Sequence, residues 1–128
     1  MKPGRTTTRE ILPNRRENYT QRFRIAGNTV HLTAGMYPDG RLGEVFIDLS
    51  KQGTALRFWG ESTATLFSLA IQCGCPLETL VDLFVGSKSD PFGIVEGHAR
   101  ITKCTSIMDA IARSLAIDFL GRDDRADR

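Results

Sequence analysis

The sequence is short of the residues that most often carry chemistry. It holds three cysteines, two histidines and one tryptophan in 128 residues. An odd, low cysteine count cannot build a disulfide framework, so reduced thiols are expected. No apolar run approaches the ~18 residues of a membrane span. The opening Met1-Lys2-Pro3-Gly4-Arg5-Thr6 lacks the apolar stretch of a signal peptide. A cytoplasmic protein without membrane contact is expected. Catalytic signatures are missing too: there is no Gly-x-Ser-x-Gly, no Gly-x-x-x-x-Gly-Lys-Ser/Thr and no His-Glu-x-x-His. His31 and His98 have no nucleophile beside them, and the acidic pairs (Asp123-Asp124, Glu44 with Asp48) fall where carboxylates are usually solvated. These residues point to no enzyme and no cofactor.

What remains is ordinary globular material: 41% hydrophobic and 25% charged, one domain's worth of chain. The formal net charge of +2 hides an asymmetry. Residues 1–24 carry seven Lys/Arg against two Asp/Glu, whereas residues 25–98 carry four against eight. A basic arm precedes a mildly acidic body, which points to an anionic partner and says nothing of fold.

Residues 1–18 have no sustained period and read as an extended arm, residues 19–121 as a single domain, and residues 122–128 as a polar, frayed tail. Phe23 and Ile25 alternate with Arg22 and Arg24, and Ala26-Gly27-Asn28 forms a turn. Val30, Leu32, Ala34 and Met36 alternate with His31 and Thr33. After the turn Tyr37-Pro38-Asp39-Gly40, Val45, Ile47 and Leu49 share a face. Helical spacing follows. Leu56, Trp59, Thr63, Leu66, Phe67, Ala70 and Ile71 run to Gly74, with Gly60 a weak point where something packs closely. Leu77, Leu80, Val81 and Phe84 form a second apolar stripe, and Ile107, Ile111, Leu115 and Phe119 a third, entered by a Ser106–Asp109 capping box and ended at Gly121. Residues 87–100 read as a long loop suspected of a role. The expected class is α+β: a three-stranded antiparallel meander with about three helices on one face. A core position is preferred for Trp59, and a homodimer is expected because a small sheet leaves edges and a face to cover.

Two constellations carry candidate chemistry. Cys73, Cys75, Cys104 and His98 are zinc-type ligands, but Cys-x-Cys is tighter than the usual two-to-four-residue gap, so packing is the preferred reading and no metal is expected. Arg5, Arg9, Arg15, Arg16, Arg22 and Arg24, with Tyr19 among them, suit bidentate phosphate contacts. They could bind DNA or RNA; alternatively they are solvated, or pair with the acidic body of the same or a neighbouring subunit.

The residues also resemble a known family. Arg9-Glu10-Ile11-Leu12-Pro13-Asn14-Arg15-Arg16 leading to Tyr19-Thr20-Gln21 resembles the opening of the domain named for its TSCPD motif. That domain lies near the C-terminus of adenosylcobalamin-dependent (class II) ribonucleotide reductases. The similarity continues through Gly27-Asn28-Thr29-Val30-His31-Leu32, Pro38-Asp39-Gly40-Arg41-Leu42-Gly43-Glu44, Lys51-Gln52-Gly53, Gln72-Cys73-Gly74-Cys75-Pro76 and Thr105-Ser106-Ile107-Met108-Asp109, to Phe119-Leu120-Gly121-Arg122-Asp123-Asp124. It departs at His31, where an aromatic is common. It departs again at Cys73 and Cys75, which replace residues that would not bind metal, and at Ser87-Lys88-Ser89-Asp90-Pro91-Phe92.

The resemblance implies a fold and an ancestry. In those reductases the radical cysteines, substrate site and cobalamin site lie in a large barrel to which none of these residues corresponds. The expected role is therefore a non-catalytic binding or regulatory module that docks on a partner such as a ribonucleotide reductase. The alternative is a nucleic-acid-binding protein, such as a transcriptional regulator, acting through its arginines.

Overall fold

Tight turns build the first half of the fold. The computed structural model describes residues 8–49 and 53–127, and all that follows concerns them. Strands β1 (Asn18–Ile25) and β2 (Asn28–Met36) pair from Asn18↔Gly35 to Ile25↔Asn28, leaving Ala26-Gly27 as a two-residue loop. Both loop residues have positive φ, 49° and 83°, the backbone of a primed hairpin turn whose twist matches the strands. At the next corner Gly40 (φ 92°) donates its N–H to Tyr37 O at 2.9 Å, and β3 (Leu42–Asp48) returns along β2.

The sheet has five strands, not three. Its order is β3-β2-β1-β4-β5, all neighbours antiparallel. Strand β4 (Gly93–Glu96) comes from within the 87–100 stretch read as a loop, and β5 (Lys103–Cys104) from the unassigned residues between that stretch and the third helix. Four residues offer only two positions per face and two residues offer no period, so hydrophobic alternation could not announce them. The α+β class stands: helices α1 (Thr54–Gln72), α2 (Leu77–Phe84) and α3 (Ile107–Leu120) complete the fold, and the core joins Phe23, Ile25, Val30 and Leu32 of the sheet to Phe67, Leu80, Ile111 and Leu115 of the helices.

Both outer edges of the sheet are closed by side chains. Along β3, buried Ser68 of α1 accepts the Val45 N–H at 2.8 Å and shares its hydroxyl proton between Val45 O (3.1 Å) and Ala64 O (2.8 Å). One turn on, the Gln72 amide donates to Gly43 O at 2.9 Å. The helix thus supplies hydrogen bonds that a sixth strand would make. Such proximity explains Gly60, where a Cβ would lie 2.9 Å from Leu49 Cδ1. At the other edge the Asp127 carboxylate accepts from Thr102 N (2.8 Å) and Lys103 N (3.0 Å) and pairs with Arg113 at 2.8 Å. Burial alone would raise the Asp127 pKa; the two backbone N–H groups and Arg113 outweigh it and hold it below the ordinary value. Residues 122–127 of the tail expected to fray are bonded to the body, with a 3₁₀ turn at Asp123–Arg125.

Trp59 is not in the core: it is 65% exposed. The face of α1 that packs on the sheet carries Ala64, Phe67, Ser68 and Gln72, while Trp59 and Leu66 point outward. Apolar residues occur on both sides of this helix, so its spacing alone did not say which side is covered. The N-cap of α3 is as read: Ser106 Oγ accepts from Asp109 N at 2.9 Å. Buried Asp109 does not reciprocate to Ser106. Its carboxylate accepts from Gly86 N (2.8 Å) and Thr105 N (3.1 Å), tying the end of α2 to the start of α3.

His98 organises the bend between β4 and β5. Its Nδ1 accepts from Arg100 N (3.0 Å) and Ile101 N (3.1 Å), which fixes the proton on Nε2, 3.0 Å from Ser114 Oγ. Burial, with the Arg113 and Arg100 charges, lowers its pKa against the opposing pull of Asp118. The unfolded chain therefore takes up this proton at higher pH than the folded one, and stability falls as pH drops below the ordinary histidine value of 6.5. Chemical denaturation between pH 7.5 and 5 is expected to show this loss, at most about 1.4 kcal/mol per pH unit for one proton. The His98→Gln variant is expected to lack that component. Ser68→Ala, which leaves the Val45 N–H facing an apolar contact, is expected to cost about 1–3 kcal/mol in the same assay, and Thr65→Ala on the exposed side of α1 under about 0.5 kcal/mol.

Candidate partner interface

The arginine-rich segment is docked on the body rather than free of it. Leu12 is buried over Gly43, where a Cβ would lie 2.7 Å from Leu12 Cδ2. Glu10 donates its N–H to Gln72 O at 2.8 Å, its carbonyl accepts from the Tyr37 hydroxyl at 2.6 Å, and its carboxylate pairs with Arg41 at 2.9 and 3.1 Å. Arg9 Nε donates to Gln72 Oε1 at 2.6 Å. Arg16 forms a forked pair with buried Glu44, through Nε to Oε2 and Nη2 to Oε1, and donates to Pro13 O at 2.9 Å. Glu44 reaches it by lying across Gly35, where any Cβ would collide with its carboxylate. The Glu44 bond raises the Arg16 pKa further, so the guanidinium keeps its charge. Two of the arm's arginines are thus spent inside the chain.

Tyr19 leaves the group altogether. It shares the inward face of β1 with Phe23 and Ile25, stacks on Phe119 (ring centroids 6.2 Å) and donates its hydroxyl to Asp118 at 2.5 Å. Burial and the Asp118 bond raise its pKa, so it stays a neutral donor. Its parity with Phe23 and Ile25 was the sequence signal for this placement. Arg5 lies outside the described residues. Arg15, Arg22 and Arg24 remain: all three are exposed and make no side-chain hydrogen bond or ion pair among the described residues.

Arg22 and Arg24 stand on the sheet face that carries no helix. Cross-strand pairing sets Arg22 beside His31 and His31 beside Asp48, with Thr20 beside Thr33 and Thr33 beside Phe46. Arg24 lies beside Glu96 of β4. The Thr20 and Thr33 hydroxyls are 2.8 Å apart, and Phe46 and Ile94 are exposed at the two sides of this face. The open face is therefore a mixed surface of arginine, threonine, carboxylate and two large apolar side chains, not a single-sign patch. Sequence reading missed it because its members come from four strands.

The zinc-type residues do not converge. Cys73 and Cys75 lie between α1 and α2, whereas His98 and Cys104 flank the β4–β5 bend; among the described residues no group of three or more His, Cys, Asp or Glu is placed to hold a metal. Both His98 nitrogens are occupied, and burial pushes the Cys104 thiol up, away from the thiolate a metal needs. A largely apolar cavity of about 270 Å³, lined by Leu49, Leu56, Trp59, Phe84 and Met108 among others, opens beside residues 87–90. No helix among the described residues is long and apolar enough to cross a membrane.

Comparison with known proteins places this arrangement. A vitamin B12-dependent ribonucleotide reductase of Agrobacterium fabrum is 46% identical over 118 residues, 92% of this chain and 9% of that protein. One from Bradyrhizobium diazoefficiens is 44% identical over the same share of each, and one from Streptantibioticus cattleyicolor is 37% identical over 92% of this chain and 20% of the relative. The chain thus spans about a tenth of the length of the first two relatives. No solved structure matches it. The family model described as "TSCPD domain" matches residues 5–119, and the chain belongs to the TSCPD domain family.

Proposed function

We propose that this chain is a non-catalytic docking module whose partner is a B12-dependent ribonucleotide reductase, engaged or regulated through the helix-free sheet face. The observation that carries the reading is the match of residues 5–119 to a domain, with relatives of which this chain spans only 9–20%. Arginines flanked by threonines and bordered by exposed Phe46 and Ile94 suit a protein surface, where charge steers encounter and apolar contacts hold it. Interspersed Asp48 and Glu96 make the same face less suited to a bare phosphate backbone.

A second reading rests on Arg15, Arg22 and Arg24, exposed and unpaired among the described residues: contact with nucleic acid through their guanidinium groups. One comparison separates the two. The purified chain is titrated against a cognate B12-dependent ribonucleotide reductase by surface binding, and against double-stranded DNA, single-stranded DNA and RNA in gel shifts over a salt series. Docking predicts a reductase complex weakened at least about tenfold by Arg22→Glu with Arg24→Glu, a loss on the scale of a removed charged contact. Nucleic-acid binding predicts instead a salt-dependent shift whose slope falls by about one for each of Arg15→Ala, Arg22→Ala and Arg24→Ala. No reductase complex at micromolar concentration would end the docking reading. Deleting the arm is unsuited to either test, because it removes Leu12 from its buried seat and Arg16 from Glu44.

A further inference from the structure

Helix α1 is apolar on the side facing solvent as well as the side facing the core. Of its 19 residues only Arg57 and Glu61 are charged. Its outer face exposes Phe58 (58%), Trp59 (65%), Leu66 (67%) and Leu69 (40%), four of the nine large exposed hydrophobics among the described residues. A helix apolar all round belongs to an interior. Here only one side is covered.

The outer stripe has an internal symmetry. Ala55, Phe58, Ser62, Leu66 and Leu69 follow one another at intervals of three, four, four and three residues, a spacing that reads the same in both directions and keeps all five within an arc of about 80°. An antiparallel copy crossing at Ser62 sets Phe58 against Leu66, Leu66 against Phe58, and Ala55 against Leu69. The small serine sits at the crossing, where the backbones come closest. Arg57 and Glu61 lie together on one flank, one of each sign, so a second copy brings no net charge against it. Strand pairing at the outer edges is a poorer route to self-association, because Ser68 and Gln72 take backbone groups of Val45 and Gly43 on β3 and Asp127 takes the Lys103 N–H on β5.

We propose that α1 is a self-association surface, pairing antiparallel with α1 of a second copy of this chain about a two-fold axis at Ser62. This surface is separate from the sheet face, and the proposal holds whether or not a reductase docks there. The contact is isologous, as two-fold dimers require, and places the sole tryptophan at its margin.

Light scattering and Trp59 emission on the full chain, from about 1 to 100 µM, test it across the range expected for a modest interface. The expected result is a concentration-dependent shift to dimer mass with a blue shift of Trp59 emission. Phe58→Lys and Leu66→Glu, both at exposed positions, are each expected to give a folded monomer. An equimolar mixture of the two is expected to regain dimer mass, because this register sets the new charges against each other. A monomer throughout the range, a dimer indifferent to both substitutions, or a mixture that stays monomeric would overturn the proposal. So would a monomeric wild type whose reductase binding is lost in the same variants, since that outcome assigns the stripe to the reductase.

Discussion

Gln72 is the point at which three parts of the chain meet. Its side-chain amide donates to the outer edge of β3 and accepts from Arg9, while its own carbonyl takes the Glu10 N–H. A buried amide has no tolerance for a missing partner, because each unmade bond carries the full desolvation cost of the group. The helix end, the strand edge and the N-terminal segment are therefore positioned together. From this follow the glycine at position 60, where α1 must approach Leu49, and the fixed course of residues 8–17 across the β2–β3 corner. The charge asymmetry of the sequence then takes on a structural meaning: Arg9 and Arg16 are attached to polar groups of the body, and of the described arginines up to residue 24 only Arg15, Arg22 and Arg24 are left for a partner.

The first three strands, the limits of the three helices and the α3 cap were legible because each is written in a local code: alternation, turn residues or a capping serine. The described residues of the arm, 8–17, hold no helix, in keeping with its extended reading. What local code could not show is which face of α1 is covered, since Trp59 and Leu66 keep helical spacing with residues that are buried. Nor could it show β4 and β5, whose pairing depends on β1 being already in place. These are tertiary decisions.

The candidate surface shows the same division. Arginine count pointed to the right segment but treated it as one patch, whereas strand parity sends Tyr19 inward and Arg22 and Arg24 outward. His98 and Cys104, singled out as ligand types, are explained by bonds within the fold: the histidine holds two backbone N–H groups and the cysteine packs. The resemblance to TSCPD domains was legible from end to end, and the family model and relatives agree with it.

The two closed edges bear on the colloidal behaviour of the chain. An open strand is a template on which further strands can add, which is how small sheets begin to aggregate. Here a serine, a glutamine and one aspartate stand where an incoming strand would have to bond, so the tail residue Asp127 acts as a stopper against fibrillar growth. The apolar face of α1 has no such guard, and the solubility of the protein depends on what covers it.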